Sequence, residues 1–336
     1  MSKEILPVGK IPLDLLDSLL KNLATDDPAV LVGPGIGEDA AVIRFGSEIL
    51  LFKTDPITFA VSDIAWYLVT VNANDIACMG GVPRYLLVTL LLPEGKTTPD
   101  LVRDTFEKLT AACSAADIRL IGGHSEVTYG IDRPLVTGFM IGTLATDKVI
   151  RTSGARPGNL ILLSKSIPLE ALALLAREVP DRIDLDTESL AKVRDLIYDP
   201  GLSVVKEARL ALEQGAVSAM HDPTEGGLAT GLLELARASG CGLEVYREKI
   251  PIMEQAAKIL PAFDIDPLGA IASGSLLVCC EPEGAHNILN AWRGASISGA
   301  IIGRITAEPE LKLYHNGICE EFPVFETDEI AKVFSS

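Results

Sequence analysis

Five short stretches of this 336-residue sequence place a carboxylate or an amide at or near the end of a predicted strand or helix, and three of them place it beside glycine. They are Gly35–Ala41, Lys53–Asp55, Asn72–Asp75, Gly122–Glu126 and His221–Gly227. Carboxylates from separate elements suit Mg²⁺, which takes hard oxygen ligands and completes its shell with water and substrate phosphates. Glycine lets the backbone approach phosphate closely. The pattern indicates phosphoryl-transfer chemistry, in which a bound metal neutralises the developing charge.

Each aspartate also has a structural interpretation. Asp39 and Asp222 could be turn or helix-capping residues, because short polar side chains accept local backbone hydrogen bonds. Asp55 precedes Pro56 and could simply end a strand. Asp75 lies in a predicted apolar helix, where an unpaired carboxylate is costly, so it needs a structural partner or a metal. The metal is slightly favoured.

The amide, imidazole and lysine candidates are open in the same way. Asn72 could be an ordinary buried amide of the same helix, and Glu126 fits a solvated position. His124 follows two glycines and suits a local turn as well as a ligand contact. Lys53 and Lys165 could each supply a counter-charge for phosphate or lie on the surface. Function is favoured by the joint occurrence of these residues at successive element ends.

The elements that would position these residues follow from the spacing of apolar residues. Helical periodicity predicts helices at 11–23, 64–79, 100–116, 169–177, 202–213 and 228–238. Apolar runs predict strands at 40–43, 49–53, 85–92, 120–121, 135–143, 160–163, 243–246 and 275–280, with one or two more after 307. The strand at 120–121 is expected to end at the turn Gly122-Gly123.

Length and composition bound the class of protein. A chain of 336 residues predicts about two domains, and 48% hydrophobic with 22% charged residues is typical of globular proteins. The polar, turn-rich segment 151–159 is the best boundary, which gives domains at 1–150 and 151–336.

Charge and cysteine usage exclude several classes of function. The net charge of −17 repels nucleic-acid backbones and no Lys/Arg run offsets it, so nucleic acid is not an expected partner. Six cysteines without a CxxC pair indicate reduced thiols. No signal-peptide pattern or membrane-spanning run is present, so we expect a soluble, cytoplasmic protein without a membrane partner.

Six segments in a fixed order carry a resemblance to a known family. They read GIGEDAAVI, KTDPITF, VNANDIACMGGVPRYLLVTLLLPEG, GGHSE, ARPGNLILLSKS and HDPTEGGLATGLLELARASG. From about Val32 to Ile305 the chain resembles the AIR synthase (PurM-like) superfamily. That group includes the HypE hydrogenase-maturation proteins, selenophosphate synthetase and thiamine-monophosphate kinase. The second-half motif is most similar to HypE.

The resemblance implies a fold, cofactors and partners. The implied fold is a two-domain α/β (α+β) PurM-like protein, whose first domain carries a four-stranded sheet that forms a barrel in a homodimer. ATP is the implied cofactor, bound with Mg²⁺ in a cleft near the dimer interface. A small molecule is the implied substrate, and a maturation protein is a further possible partner.

The resemblance also implies roles for individual residues. Four aspartates match metal ligands of the family: Asp39, Asp55, Asp75 and Asp222. The first three also belong to the implied nucleotide site, whose other members are Gly37, Asn72, Gly122, Gly123 and His124. Relatives carry Asp, Glu or His at the last of these positions, so its role stays open. Asp222 and Lys165 are expected at the reaction centre, the lysine because it replaces part of a family substrate loop.

Two departures from the family pattern shape the expected function. The sequence ends Lys332–Ser336 without the terminal cysteine that carries the thiocarboxamide in HypE, and Cys319 is expected to be structural. The segment Ser164–Pro168 replaces the Gly/Ser/His loop of AIR synthase. We therefore expect an ATP- and Mg²⁺-dependent enzyme that phosphorylates or activates an oxygen of a small substrate. The alternative is a non-catalytic, HypE-like scaffold that binds ATP in a maturation complex.

Overall fold

The structure is a computed structural model that describes residues 6, 9–23, 26–58, 60, 62–144 and 148–334. The chain forms two compact units. The N-terminal unit comprises Asp26–Gly33 and Asp39–Val149. The C-terminal unit comprises Ile150–Ser336 together with two earlier segments, Met1–Thr25 and Pro34–Glu38. The predicted two-domain α/β class is confirmed.

The N-terminal unit is built on a mixed sheet with two long helices. In spatial order its strands are β1 (Val30–Val32), β2 (Ala41–Phe45), β3 (Glu48–Ile57), β6 (Leu135–Thr143), β4 (Val82–Pro93) and β5 (Arg119–Thr128). The β4–β5 pair is parallel and the other pairs are antiparallel. The resemblance implied four strands, and the sheet has six because the hairpin partner β2 and the short β1 extend it beyond β3.

Helix α2 (Ile64–Cys78) packs against β3, β4 and β6, and helix α3 (Pro99–Ala115) packs against α2 and β5. Almost every side chain of α2 is buried, since apolar residues occupy most of its circumference. The helix ends where Gly80 adopts φ +82°. A Cβ on Gly81 would lie 2.8 Å from Leu51 Cδ2 and 3.0 Å from the Ile76 carbonyl oxygen, so glycine gives the chain room to turn into β4.

The C-terminal unit contains a seven-stranded sheet. Its spatial order is β13 (Ile318–Glu320), β12 (Leu311–His315), β9 (Gly242–Tyr246), β11 (Gly299–Thr306), β7 (Leu160–Ser164), β10 (Leu277–Cys280) and β8 (Val217–His221). Only β9 and β12 pair in parallel. The helices of this unit are α1 (Leu13–Leu20), α4 (Leu169–Glu178), α5 (Thr187–Arg194), α6 (Val205–Glu213), α7 (Gly227–Ser239), α8 (Ala256–Ile259), α9 (Pro282–Gly294) and α10 (Ala331–Phe334).

The core of the C-terminal unit joins α7 to the sheet. Leu228, Leu232 and Leu235 recur along α7 at helical spacing and belong to one buried cluster with Leu163 of β7 and Leu277 of β10. Full burial of a leucine contributes about 1.5–3 kcal/mol, so this face fixes α7 on the strands. The loop that precedes α7 is thereby held at a defined sheet edge.

The predicted turn at Gly122-Gly123 is wrong. Both glycines lie inside β5, with φ of +150° and +147°, and the strand continues to Thr128. The register between β4 and β5 shifts at this point, which is a β-bulge. A Cβ on Gly123 would lie 1.9 Å from the carbonyl oxygen of Val88, so glycine allows close strand contact instead of reversing the chain.

Within the described ranges, no helix is long and apolar enough to cross a membrane.

Candidate functional site

Three charged residues of the N-terminal unit form what we call the Lys53 cluster: Lys53, Asp55 and Asp75. Lys53 and Asp55 are two residues apart on β3 and share a face of the strand. Asp75 lies on α2 and is 4% exposed. The Lys53 Nζ lies 3.3 Å from Asp75 Oδ1 and 3.8 Å from Asp55 Oδ2. One ammonium group therefore faces two carboxylates from separate elements.

Asn72 ties this helix to this strand. It is fully buried one turn before Asp75, and its Nδ2 donates to the carbonyl oxygens of Leu68 at 2.9 Å and Asp55 at 3.4 Å. Gly138 is opposite Asp55 on β6, and a Cβ there would lie 2.8 Å from Asn72 Nδ2. Glycine at 138 thus provides the space for the amide that positions Asp55.

The donor set of this cluster fits Mg²⁺. Asn72 Oδ1 is buried and accepts no hydrogen bond from any residue that the structure describes. Asn72 and Asp75 are three residues apart and share a helix face, so amide and carboxylate oxygens occur together there. Hard oxygen donors of this kind are the ligands that Mg²⁺ prefers.

The other predicted residues of the N-terminal unit lie elsewhere in it. Asp39 is 7% exposed and lies two residues before β2. Gly122, Gly123 and His124 are on β5, which β6 and β4 separate from β3. Three strand spacings amount to roughly 14 Å, so the sheet does not bring them to Asp55. His124 Nε2 lies 3.1 Å from Glu126 Oε2, and both side chains are exposed.

In the C-terminal unit, Asp222 directly follows β8 and is 2% exposed. It opens the loop that leads into α7, where Gly226 and Gly227 have φ of +80° and +65°. A Cβ on Gly227 would lie 2.5 Å from the carbonyl oxygen of Leu268. The Gly226 N–H donates to Asp328 Oδ2 at 2.6 Å. This loop is therefore fixed both by left-handed glycines and by a buried carboxylate from near the end of the chain.

A network of charged side chains adjoins Asp222, and its buried central residue, Glu234 of α7, was not predicted from the sequence. His221 Nε2 lies 2.9 Å from Glu234 Oε2, and Lys10 Nζ lies 3.3 Å from Glu234 Oε1. Burial opposes ionisation of Glu234, but Lys10 and His221 together lower its pKa to about 2. Gly37, with φ +72°, lies against the same helix, because a Cβ there would be 3.2 Å from the Glu234 carbonyl oxygen.

Lys165 does not lie at an open site. It is 4% exposed at the end of β7, with φ +56°. Its Nζ lies 2.7 Å from Glu207 Oε1 and donates to the carbonyl oxygens of Gly201 at 3.0 Å and Ser203 at 2.6 Å. An ammonium has three donors, and these partners occupy them all. Lys165 thus links β7 to α6 and to the loop before α6, and has no donor left for a substrate.

Two further buried carboxylates have perturbed acidity. Burial raises the pKa of Glu170, on α4, to about 7, and the charges of Asp328 and Glu225 add to this while hydrogen bonds from Ser273 oppose it. Burial likewise raises the pKa of Asp328 to about 6, against three backbone N–H donors that lower it. Neither residue was predicted, because a glutamate or aspartate in a helical or turn pattern ordinarily indicates a solvent-facing position.

Comparison with known proteins identifies the family. The family model for the N-terminal domain of AIR synthase related proteins matches residues 37–144, and the model for the C-terminal domain matches residues 156–316. A putative hydrogenase expression/formation protein of Methanocaldococcus jannaschii is 30% identical over 329 residues, which cover 93% of this chain and 91% of that protein. The chain belongs to the AIR synthase-related family.

A second sequence relative and a solved structure agree with this assignment. The carbamoyl dehydratase HypE of Rhizobium leguminosarum bv. viciae is 29% identical over 285 residues, which cover 81% of this chain and 78% of that protein. A crystal structure of the hydrogenase maturation protein HypE in complex with ATP has a TM-score of 0.71 at 24% identity, and covers 95% of this chain and 93% of that chain. The AIR synthase-related fold is therefore shared over nearly the whole chain.

Proposed function

We propose that this protein is an ATP- and Mg²⁺-dependent enzyme that phosphorylates, or activates by phosphorylation, an oxygen of a small substrate. The Lys53 cluster carries the proposal. Asp55 and Asp75 come from different elements, one of them is buried, and they are held near each other by Asn72 and a single lysine. The relatedness to HypE, one structure of which contains ATP, supports nucleotide use.

The residues of the N-terminal unit divide this work between binding and orientation. Asp55, Asp75 and the free oxygen of Asn72 would hold Mg²⁺, which supplies neutralising charge for the phosphates when bound. Lys53 would exchange its carboxylate partners for a phosphate oxygen. Catalysis would rest on position and electrostatics, since phosphoryl transfer demands little covalent chemistry from the protein. Asp39 is proposed as a further metal ligand of this unit.

In the C-terminal unit, Asp222 is the proposed reaction-centre residue. His221 and Glu234 fix the end of β8 and therefore the start of the Asp222 loop.

The remaining nucleotide contacts proposed are Gly37, Gly122, Gly123 and His124. Lys165 is assigned a structural task here, because its donors are occupied.

We also propose a homodimer and a cytoplasmic location. The edge strand β5 is exposed over most of its length, including the apolar residues Ile121 and Val127. Proteins usually cover an edge of this kind, and a second copy of the sheet would do so. Sedimentation of the full chain measures the assembly, and cell fractionation measures the location. A maturation protein is the proposed hetero-partner, which co-purification would detect.

One observation favours a second candidate, a non-catalytic scaffold that binds ATP. Lys53 already faces Asp55 and Asp75 within the protein, so these carboxylates have a counter-charge without any metal. A stable hetero-complex that binds nucleotide and shows no ATP turnover would favour this candidate over the enzyme.

Calorimetry with a non-hydrolysable ATP analogue, with and without Mg²⁺, tests the proposal. We expect Mg²⁺-dependent binding that falls about 100-fold, or about 2.7 kcal/mol, in Asp55→Asn and Asp75→Asn. ATP turnover should be abolished in both variants at an unchanged melting temperature. Asp104→Asn on the exposed face of α3 is the matched control and should behave like the wild type. Full activity in Asp75→Asn would mean that the Lys53 cluster is not part of the active site.

A further inference from the structure

A cavity of about 420 Å³ opens in the C-terminal unit beside the loop that carries Asp222. The loop itself contributes Glu225 and Gly226 to the wall, and α7 contributes Thr230, Leu233 and Arg237. A volume of this size accommodates a small molecule, since ligand sites typically measure about 300–1,000 Å³. The cavity therefore has a suitable volume, and two residues of the proposed reaction-centre loop, Glu225 and Gly226, form part of its wall.

The remaining walls come from outside the two domains that define the family. They are formed by Leu6 and Lys10–Asp14 on one side and by Val324–Asp328 on the other. The family models match only residues 37–144 and 156–316. The cavity therefore joins a loop within the matched C-terminal domain to walls that lie outside both matched ranges.

The lining of the cavity has an apolar part and a charged part. The apolar part includes Leu6, Ile11, Leu13, Leu233, Val324 and Phe325. The charged part has four carboxylates, Asp14, Glu225, Glu326 and Asp328, against two cations, Lys10 and Arg237. Four negative and two positive groups leave the lining at −2 when all are ionised.

Both cations of the lining are already engaged by carboxylates. Lys10 Nζ lies 3.3 Å from Glu234 Oε1, and Arg237 Nη1 donates to Asp14 Oδ1 at 2.7 Å. A phosphate or carboxylate in the cavity would have to compete with these partners and would face Glu326 in addition. An ammonium group would gain from the same charges.

We propose that this cavity binds the acceptor substrate, and that the acceptor is an apolar small molecule that carries an amine group and the hydroxyl or carbonyl oxygen to be phosphorylated, and no phosphate. The amine would lie toward the carboxylates, with the apolar body against Leu233 and Phe325. The assignment of the ligand as an acceptor rests on the proposed function. The charge preference of the cavity is a separate property of the lining.

Three probes with the same phenethyl body test the charge preference: phenethylamine, phenethyl alcohol and phenethyl phosphate. Their affinities for the full chain are measured by ligand-observed NMR titration. We expect the amine to bind at least about tenfold more tightly than the phosphate, with the alcohol between them. Equal or tighter binding of the phosphate overturns the proposal, and so does the absence of amine binding at millimolar concentration.

Two variants locate the binding in this cavity. Leu233→Trp fills the space and should abolish amine binding, and Glu326→Lys should weaken it about fivefold. Glu283→Lys makes the same charge change at an exposed position of α9 and should leave amine binding unchanged. Wild-type amine affinity in both cavity variants would place the probe elsewhere and overturn the proposal.

The ATP analogue separates a failure of this proposal from a failure of the proposed function. Leu233→Trp should keep the Mg²⁺-dependent affinity of the wild type for the analogue while it loses the amine. If the wild type binds the analogue but no amine, the cavity is not an amine site and the proposed function stands. If it binds the amine but no analogue, the proposed function fails, and with it the acceptor assignment.

Discussion

Two carboxylate–lysine contacts, one in each unit, differ in how deeply the lysine is buried and how close its partners lie. Lys53 is 22% exposed in its side chain and faces Asp75 at 3.3 Å and Asp55 at 3.8 Å. Lys165 is 5% exposed in its side chain and faces Glu207 at 2.7 Å, with two carbonyl oxygens on its other donors.

Residue type alone therefore does not show which lysine can contact a phosphate. By sequence, Lys53 and Lys165 are equal candidates for a counter-charge. Burial and contact distance distinguish them, because an ammonium group has only three donors to share among its partners. The donors of Lys165 are all used at short distances in a closed environment. The contacts of Lys53 are longer and partly open to solvent, so its partners can be exchanged at lower cost.

The largest expected effect on stability comes from replacing the buried lysine, Lys165. In Lys165→Met, Glu207 keeps its charge in a buried position without a cation, which costs about 3–5 kcal/mol of the free energy of unfolding. Urea denaturation measures this loss. Lys192→Met, which removes an exposed lysine paired with Glu188 on α5, is the control and should cost less than about 1 kcal/mol. A Lys165→Met protein as stable as the wild type would contradict the structural role.

Glu170 is a third buried carboxylate and extends the comparison, because no described lysine pairs with it. No cation pairs with Glu170 within the part of the chain that the structure describes, and its pKa is raised from 4.5 to about 7. The native protein therefore holds this proton to a higher pH than the unfolded chain does. Between about pH 4.5 and pH 7 the free energy of unfolding should fall as the pH rises, by up to about 3 kcal/mol.

Glu170→Gln tests this dependence, since glutamine stays neutral at every pH. At pH 8 the variant should be more stable than the wild type, and at pH 5 the two should be similar. Denaturation at four pH values between 5 and 8 measures both curves. Asp328 acts in the same direction up to about pH 6 and remains in both proteins. Parallel curves for variant and wild type would mean that Glu170 does not titrate in this range.

The fold was predictable where the signal is local. The apolar helix α2 and the strands β4 and β6 appear close to their predicted limits because periodicity and apolar runs report burial directly. Helix α9 was missed, since Pro282–Gly294 contains two glycines and few apolar residues. Strand β11 was missed as well. A Cβ on its Gly303 would lie 2.3 Å from the Glu244 carbonyl oxygen, so a non-local contact requires glycine in a strand that propensity rejects.

The site was predictable in part for the same reason. Asp75 and Asn72 are conspicuous because polar residues in a mostly apolar helix need a partner, and the structure links Asn72 to Asp55 directly and Asp75 to Asp55 through Lys53. The pairing of Lys165 with Glu207 was not predictable, since 42 residues separate them and only the fold joins β7 to α6. The role of Glu234 is hidden in the same way, because its partner Lys10 lies near the start of the chain.

The smallest expected effect is on ligand affinity and comes from replacing Lys53. This substitution tests whether the Lys53 ammonium occupies the position where a metal would bind. If it does, Lys53→Met should raise the affinity for Mn²⁺ without nucleotide about tenfold, because Asp55 and Asp75 lose their internal counter-charge. The same variant should bind the ATP analogue more weakly, since the phosphates lose a cation. Electron paramagnetic resonance of Mn²⁺ measures the first quantity and calorimetry the second. Lys108→Met, at an exposed ion pair on α3, is the control. Weaker Mn²⁺ binding in Lys53→Met would mean that the lysine organises the carboxylates instead of competing for them, and the scaffold interpretation would then gain weight.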